Sequence, residues 1–140
     1  MTTLAADKPR NYGAVSKVPG TAPVIASDII YEGAAVGESA SLGTARPLVA
    51  GDTFLGFAFR KADNSAGAAG DVKADLLAMG VVELPIASVA TADLGATVYA
   101  SDDDTFTLSS TGNTAIGKIV EIVATGIARV YFQAAAYQSI

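Results

Sequence analysis

The sequence predicts an all-β domain, a compact β-barrel or sandwich of short antiparallel strands preceded by an extended N-terminal arm. Two observations predict it. From Ile25 onward, short runs of β-branched and aromatic residues alternate with Gly, Asp, Asn and Ser clusters at intervals of roughly ten residues. Before that point lie three of the five prolines, Pro9, Pro19 and Pro23, with no hydrophobic periodicity. Proline fixes φ and removes an amide donor, so residues 1–23 read as an extended arm outside any central sheet, and residues 24–140 as a single β domain.

The strands follow in chain order. Asp28 to Glu32, with Ile29, Ile30 and Tyr31, leads into Gly33-Ala-Ala-Val36, and Ala45 to Val49 ends at the turn Ala50-Gly-Asp52. Thr53 to Arg60 is apolar on both faces of a strict alternation, with Leu55, Phe57 and Phe59 on one and Phe54, Gly56 and Ala58 on the other. That pattern marks a central strand in which Gly56 lets a neighbouring backbone or ring come close. Asp63 to Gly70 reads as a flexible loop of small residues.

Asp71 to Gly80 has two readings. One is a helix capped by Asp71, with Val72, Leu76 and Met79 on one face. The other, preferred in an all-β chain, is a hairpin pairing Val72–Leu77 with Val81–Ile86. Next, Thr97–Ala100 and Thr105–Leu108 form a hairpin whose tip, Ser101 to Asp104, is acidic and solvated. A last pair, Gly117–Val123 with Ile127–Gln133, turns at Ala124-Thr-Gly126. It directs Val130 and Phe132 inward, and Arg129, Tyr131 and Gln133 outward.

Composition excludes much chemistry. The 140 residues are one domain's worth of chain, with neither histidine nor cysteine. That removes imidazole bases, thiol nucleophiles, disulfides and nearly every zinc or copper site. Hydrophobic residues make up 51% and charged residues 16%, below the roughly 25% of an average soluble chain, as expected of a surface covered by something else. No stretch matches the ~20 apolar residues of a membrane-spanning helix. With no signal-peptide pattern at Met1–Lys8, synthesis in the cytoplasm is expected. The net charge of −5 is uneven: Lys8, Arg10 and Lys17 against Asp7 leave the first 20 residues at +2 and the remainder at −7. An acidic body argues against nucleic acid, and a basic arm suggests a tether to a complementary protein surface.

No motif carries catalysis or a cofactor. Gly112-Asn-Thr-Ala-Ile-Gly-Lys118 has the spacing of a phosphate-binding loop, but Ile119 stands where Ser or Thr must hold Mg²⁺, and the residues that follow are β-formers. Asp102-Asp-Asp104 lacks the alternating ligands, central Gly and distal Glu of a calcium loop. No G-x-S-x-G elbow accompanies the serines, and no tryptophan offers a sugar-binding wall. The chain is therefore expected not to be an enzyme and to hold no metal or cofactor.

Taken in order, several segments resemble the small decoration (cement) proteins of tailed-bacteriophage capsids. They are the Pro-containing arm, Gly51-Asp-Thr-Phe-Leu-Gly-Phe-Ala58, Gly80-Val-Val-Glu-Leu-Pro85, Leu94-Gly-Ala-Thr-Val-Tyr99, Phe106-Thr-Leu108 and Thr111-Gly-Asn-Thr-Ala-Ile-Gly-Lys118. The likeness covers about residues 45 to 133. It implies a β-rich, non-enzymatic homotrimer on the exterior of the virion, bound to the major capsid protein. On that reading Lys8, Pro9, Arg10, Tyr12 and Lys17 of the arm contact the capsid, by strand addition to an exposed sheet edge. Tyr131, Gln133 and Tyr137 then make contacts between copies. The competing class is a carbohydrate- or receptor-binding module of a phage fibre, with Tyr12, Tyr31, Tyr99 or Tyr137 as its platform.

Overall fold

A computed structural model describes residues 4–16, 20–39 and 43–138, with Ser16 and Tyr137 described in their backbone alone. Among these residues the chain forms β1 (Tyr12–Ser16), β2 (Thr21–Pro23), β3 (Asp28–Ile30), β4 (Ala35–Glu38), β5 (Ala45–Pro47), β6 (Thr53–Ala58) and β7 (Ala62–Asn64). There follow β8 (Lys73–Leu77), β9 (Met79–Pro85), β10 (Thr97–Ala100), β11 (Phe106–Thr107), β12 (Thr114–Ala124) and β13 (Ile127–Gln133). Single 3-10 turns at Thr91–Asp93 and Ala135–Tyr137 are the helical elements described.

The strands make a six-stranded sheet in the order β1-β9-β13-β12-β10-β11, a five-stranded sheet in the order β2-β8-β6-β4-β5, and a ribbon of β3 and β7. Every strand pair is antiparallel, so the all-β expectation stands, in the form of a sandwich. The five-stranded sheet is the middle layer. On β4, Ala35 joins the cluster facing the six-stranded sheet, and Val36 joins the cluster beneath the ribbon. On β8, Leu77 goes to the first cluster, Ala74 and Leu76 to the second. A strand buried on both sides reads as a continuous apolar run, which is why β6 was legible as central.

β6 departs from strict alternation. Phe54 and Phe57 both enter the first cluster, while Leu55 and Ala58 face the second. The cause is a bulge: Gly56 pairs with Val36 but Phe54 pairs with Gly37, so one extra residue on β6 turns the strand over. Gly56 adopts φ +133°, and a Cβ there would overlap the Leu77 carbonyl oxygen. The close approach expected at this glycine is made by the Leu77 carbonyl of the neighbouring strand β8.

The segment with two readings is neither a helix nor a hairpin. β8 and β9 are both strands, but β8 pairs with β2 and β6 while β9 pairs with β1 and β13. The chain changes sheets at Ala78, which is buried. A hairpin would have put Leu77 and Val82 in one sheet, whereas the corner sets them in opposite walls of one core.

The small-residue loop after β7 is anchored. Asn64, 1% exposed, donates from Nδ2 to the carbonyls of Val24, Ile25 and Ala68 at 3.0–3.3 Å. The arm too is bound to the body over its described residues. β1 pairs with β9 and β2 with β8, each at a sheet edge. Edge strands tolerate proline, since an amide facing solvent has no ladder partner to lose.

Candidate interaction surfaces

Two surfaces gather the singled-out residues. The first is where residues 4–10, a strap, cross the turn between β10 and β11. The strap lies against the Tyr31–Gly33 corner: the Lys8 N–H donates to the Glu32 carbonyl at 2.8 Å, and the Glu32 N–H donates to Asp7 Oδ1 at 2.9 Å. Gly33 permits this, because a Cβ there would overlap the Lys8 carbonyl oxygen. Arg10 then turns inward. Its side chain, 2% exposed, donates from Nε to the Gly33 carbonyl at 2.8 Å and from Nη2 to Asp104 Oδ1 at 2.8 Å. Its guanidinium lies 5.7 Å from the Phe57 ring centroid and 5.2 Å from that of Phe106. A planar, weakly hydrated cation suits such a place, lying against rings and reaching a carbonyl with one nitrogen and a carboxylate with another.

The acidic tip is therefore not a solvated one. Asp102 and Asp103 are each 1% exposed. The Leu4 N–H donates to both Asp103 carboxylate oxygens at 3.2 Å, Lys8 Nζ reaches Asp104 at 3.0 Å, and the Asp104 N–H donates to Asp102 Oδ1 at 2.9 Å. The body needs cations here, and the strap brings two. Burial, with Asp102 and Asp104 alongside, pushes the Asp103 carboxyl up to about 6.

Lys8 and Pro9 remain exposed, so of the four described arm residues these two present side chains to solvent. Arg10 is committed to the fold. Tyr12 packs against the first cluster with its hydroxyl buried and unpartnered among the described residues, and burial raises that phenol to about 12. Lys17 lies outside the described residues.

The second surface is the outward face of the six-stranded sheet. Val81, Tyr131, Lys118 and Thr97 are register neighbours across β9, β13, β12 and β10, and so form one row. Gln133 pairs with Met79 beside that row; Arg129 lies between Glu83 and Glu121 on its other side, with its Nε 3.2 Å from Glu121 Oε1. Exposed Val15 and Val120 flank Tyr131, at 41% and 50%. Hollows of about 520 Å³ and about 230 Å³ open on either side of the Tyr131 ring. Thr97, Lys118, Val120, Gln133 and Gln138 line the larger; Ala14, Val15 and Met79 line the smaller.

Tyr131 and Gln133 thus stand together on this face, joined by a 3.2 Å hydrogen bond from Gln133 Nε2 to the Tyr131 hydroxyl. Tyr137 follows β13 in a 3-10 turn, its side chain outside the description. Of the tyrosines named for a sugar platform, Tyr12 is turned to the core, Tyr31 carries Lys61 Nζ 5.5 Å from its centroid, and Tyr99 lies on β10. Among the described residues no group of three or more Asp or Glu side chains is arranged to hold a metal ion. The Gly112–Lys118 segment is a turn running into β12, with no helix to present amides to a phosphate.

Sequence reasoning missed Asp103, Asp104 and Gly33 as the strap's seat. The opposite charges of arm and body were the available signal, but the pairs are 94 to 99 residues apart along the chain. No family model matches the chain, and no curated protein matches it.

Proposed function

We propose that this chain is a non-enzymatic decoration protein that binds the outside of an icosahedral phage head as a homotrimer and braces the expanded shell. The observation that carries the reading is the apolar outward face around Tyr131. An antiparallel sheet with one face on a core has a polar face toward water, and a connected patch of Val, Met and Tyr there marks a contact surface. Copies meet through this face. The major capsid protein meets the exposed flank of the strap, Lys8 and Pro9, and the outer edge of β1, which ends its sheet. Arg10 and Tyr12 hold that edge in position.

The mechanism is binding linkage. A ligand that binds only the mature shell stabilises it by RT ln(1 + [L]/Kd), about 2.7 kcal/mol per site at a hundredfold excess over Kd. Trivalent attachment multiplies modest contacts.

The test mixes purified protein with expanded empty heads and, separately, with a glycan array. Co-sedimentation with heads that Tyr131→Glu weakens, together with a trimer that Tyr131→Glu dissociates in ultracentrifugation, supports the reading. Glycan binding without head binding replaces it with the carbohydrate-binding module, for which the hollow beside Tyr131, Gln133 and Gln138 offers an aromatic floor with amide groups.

A further inference from the structure

The two ends of the six-stranded sheet are chemically opposite. At one end β10 finishes in the acidic turn, held by the two cations of the strap. At the other, β9 stops at Pro85, and β12 passes into β13 through Ala124-Thr125-Gly126. The segments that build this second end, Pro85 to Ala92 and Ile122 to Ala128, contain no charged residue. They form one surface. The Ile86 N–H donates to the Gly126 carbonyl at 2.9 Å, and the Gly126 N–H to the Val89 carbonyl at 3.0 Å. Pro85, Ile127 and Ala124 are register neighbours.

This end is apolar as well as uncharged. Leu94, Val123 and Ile127 are 60%, 45% and 37% exposed. Val123 escapes the alternation of β12 because it is the extra residue of a bulge, Ile122 pairing with Ala128 and Ala124 with Ile127. Leu94 borders the end ahead of β10, where the Gly95 N–H donates to the Ile119 carbonyl at 3.0 Å. Charge begins one row further in, with Glu83, Arg129 and Glu121 in register. It also begins at Asp93, whose carboxylate accepts the Ala90 N–H at 2.9 Å.

We propose that this end lies on the rotation axis of the trimer, with Leu94, Val123 and Ile127 of three copies packed against one another. The inference rests on the trimer reading above and adds which surface closes the ring. A residue on a rotation axis meets its own copies. Any charge placed there faces the same charge, and like charges so placed strongly oppose association. A foreign partner imposes no such rule, because it can answer a charge with its opposite. A surface that is apolar and free of both signs suits further copies of itself. The end is also continuous with the outward face, since Ile127 lies on the same side of β13 as Arg129 and Tyr131. Contact can therefore run from the axis along that face, with the strap and the acidic turn at the far end.

The sign of an added charge tests this. Ile127→Glu and Ile127→Lys, measured separately by ultracentrifugation, are each expected to raise the dissociation constant of the trimer roughly a hundredfold. An equal mixture of the two is expected to recover part of the loss, because some neighbours then carry opposite charges. A loss with one sign alone means that Ile127 faces a charged surface other than its own copies, and overturns the proposal.

A second measurement uses the lack of cysteine, which lets one introduced thiol report its neighbours. Thr125→Cys, at the tip between β12 and β13, is expected to give covalent dimers with a short bismaleimide. Thr111→Cys, in the turn before β12 at the opposite end, is expected to give none. Both are exposed turn positions, so the thiols leave the core unchanged. A trimer in which Thr125→Cys fails to link, or in which Thr111→Cys links equally, overturns the axis while the trimer stands. A chain that stays monomeric overturns the trimer reading, and the axis with it.

Discussion

The two core clusters share one wall, the five-stranded sheet, and are filled by opposite means. On the side of the six-stranded sheet, four phenylalanines, Phe54, Phe57, Phe106 and Phe132, meet in a ring-to-ring group with centroids 4.9 to 6.4 Å apart, mostly edge to face. On the ribbon side, Ala34, Ala45, Ala58, Ala62 and Ala74 surround Val24, Ile30, Val36 and Leu76. A core of rings holds two large sheets at a distance. A core of methyl groups lets a three-residue ribbon lie close, and close approach is what lets so small a cover exclude water. The first cluster depends on volume present, the second on volume absent.

Substitutions that reverse those requirements test the contrast. Phe57→Ala removes the ring that touches the other three and supports Arg10; a loss of about 3–5 kcal/mol is expected in urea unfolding. Arg10→Ala uncovers the same rings and leaves Asp104 beside Asp102 and Asp103 without its buried cation. A loss of about 3 kcal/mol is expected, and Arg10→Lys should recover only part of it, because an ammonium has neither the plane nor the second nitrogen. In the alanine cluster the damaging change is enlargement. Ala74→Leu should destabilise by about 1–3 kcal/mol, whereas the same exchange at an exposed position is nearly neutral. Equal tolerance of added volume in both clusters would remove the distinction.

A titration sharpens the comparison at the rim of the aromatic cluster. Tyr12 is raised from 10.0 to about 12 by burial, so its neutral form favours the fold; that stability is complete below pH 10 and is lost as pH rises toward 12. Tyr12→Phe should flatten the alkaline limb of an unfolding curve. The smallest effect is expected on the outward face. Val120→Thr should change stability by no more than about 0.5 kcal/mol, yet weaken self-association measured by ultracentrifugation.

The acidic turn shows how far local reasoning reaches. Three aspartates in a hairpin read as solvated because charge repels charge, and in the absence of a partner it would be so. What reverses the reading is Lys8 and Arg10, brought from the far end of the chain by the pairing of β1 with β9. The outward placement of Tyr131 and Gln133 needed only the period-two pattern of β13. That they share a face with Val81, Lys118 and Thr97 needed the registers of three strand pairs. Likewise the apolar run at Phe54–Ala58 was visible, but which ring faces which core hung on one extra residue opposite Val36 and Gly37.

By itself the sequence determined the strand-rich class, the central character of β6, the close approach at Gly56, the inside and outside of β13 and the lack of imidazole and thiol chemistry. These follow from alternation, side-chain shape and composition, which act over a few residues. Tertiary structure alone decided that β8 and β9 part company at Ala78, that the arm is stitched to the body, and that the acidic turn is buried. Each of these is a choice of partner across tens of residues, made by whichever pairing buries the most apolar surface while leaving the fewest charges unanswered.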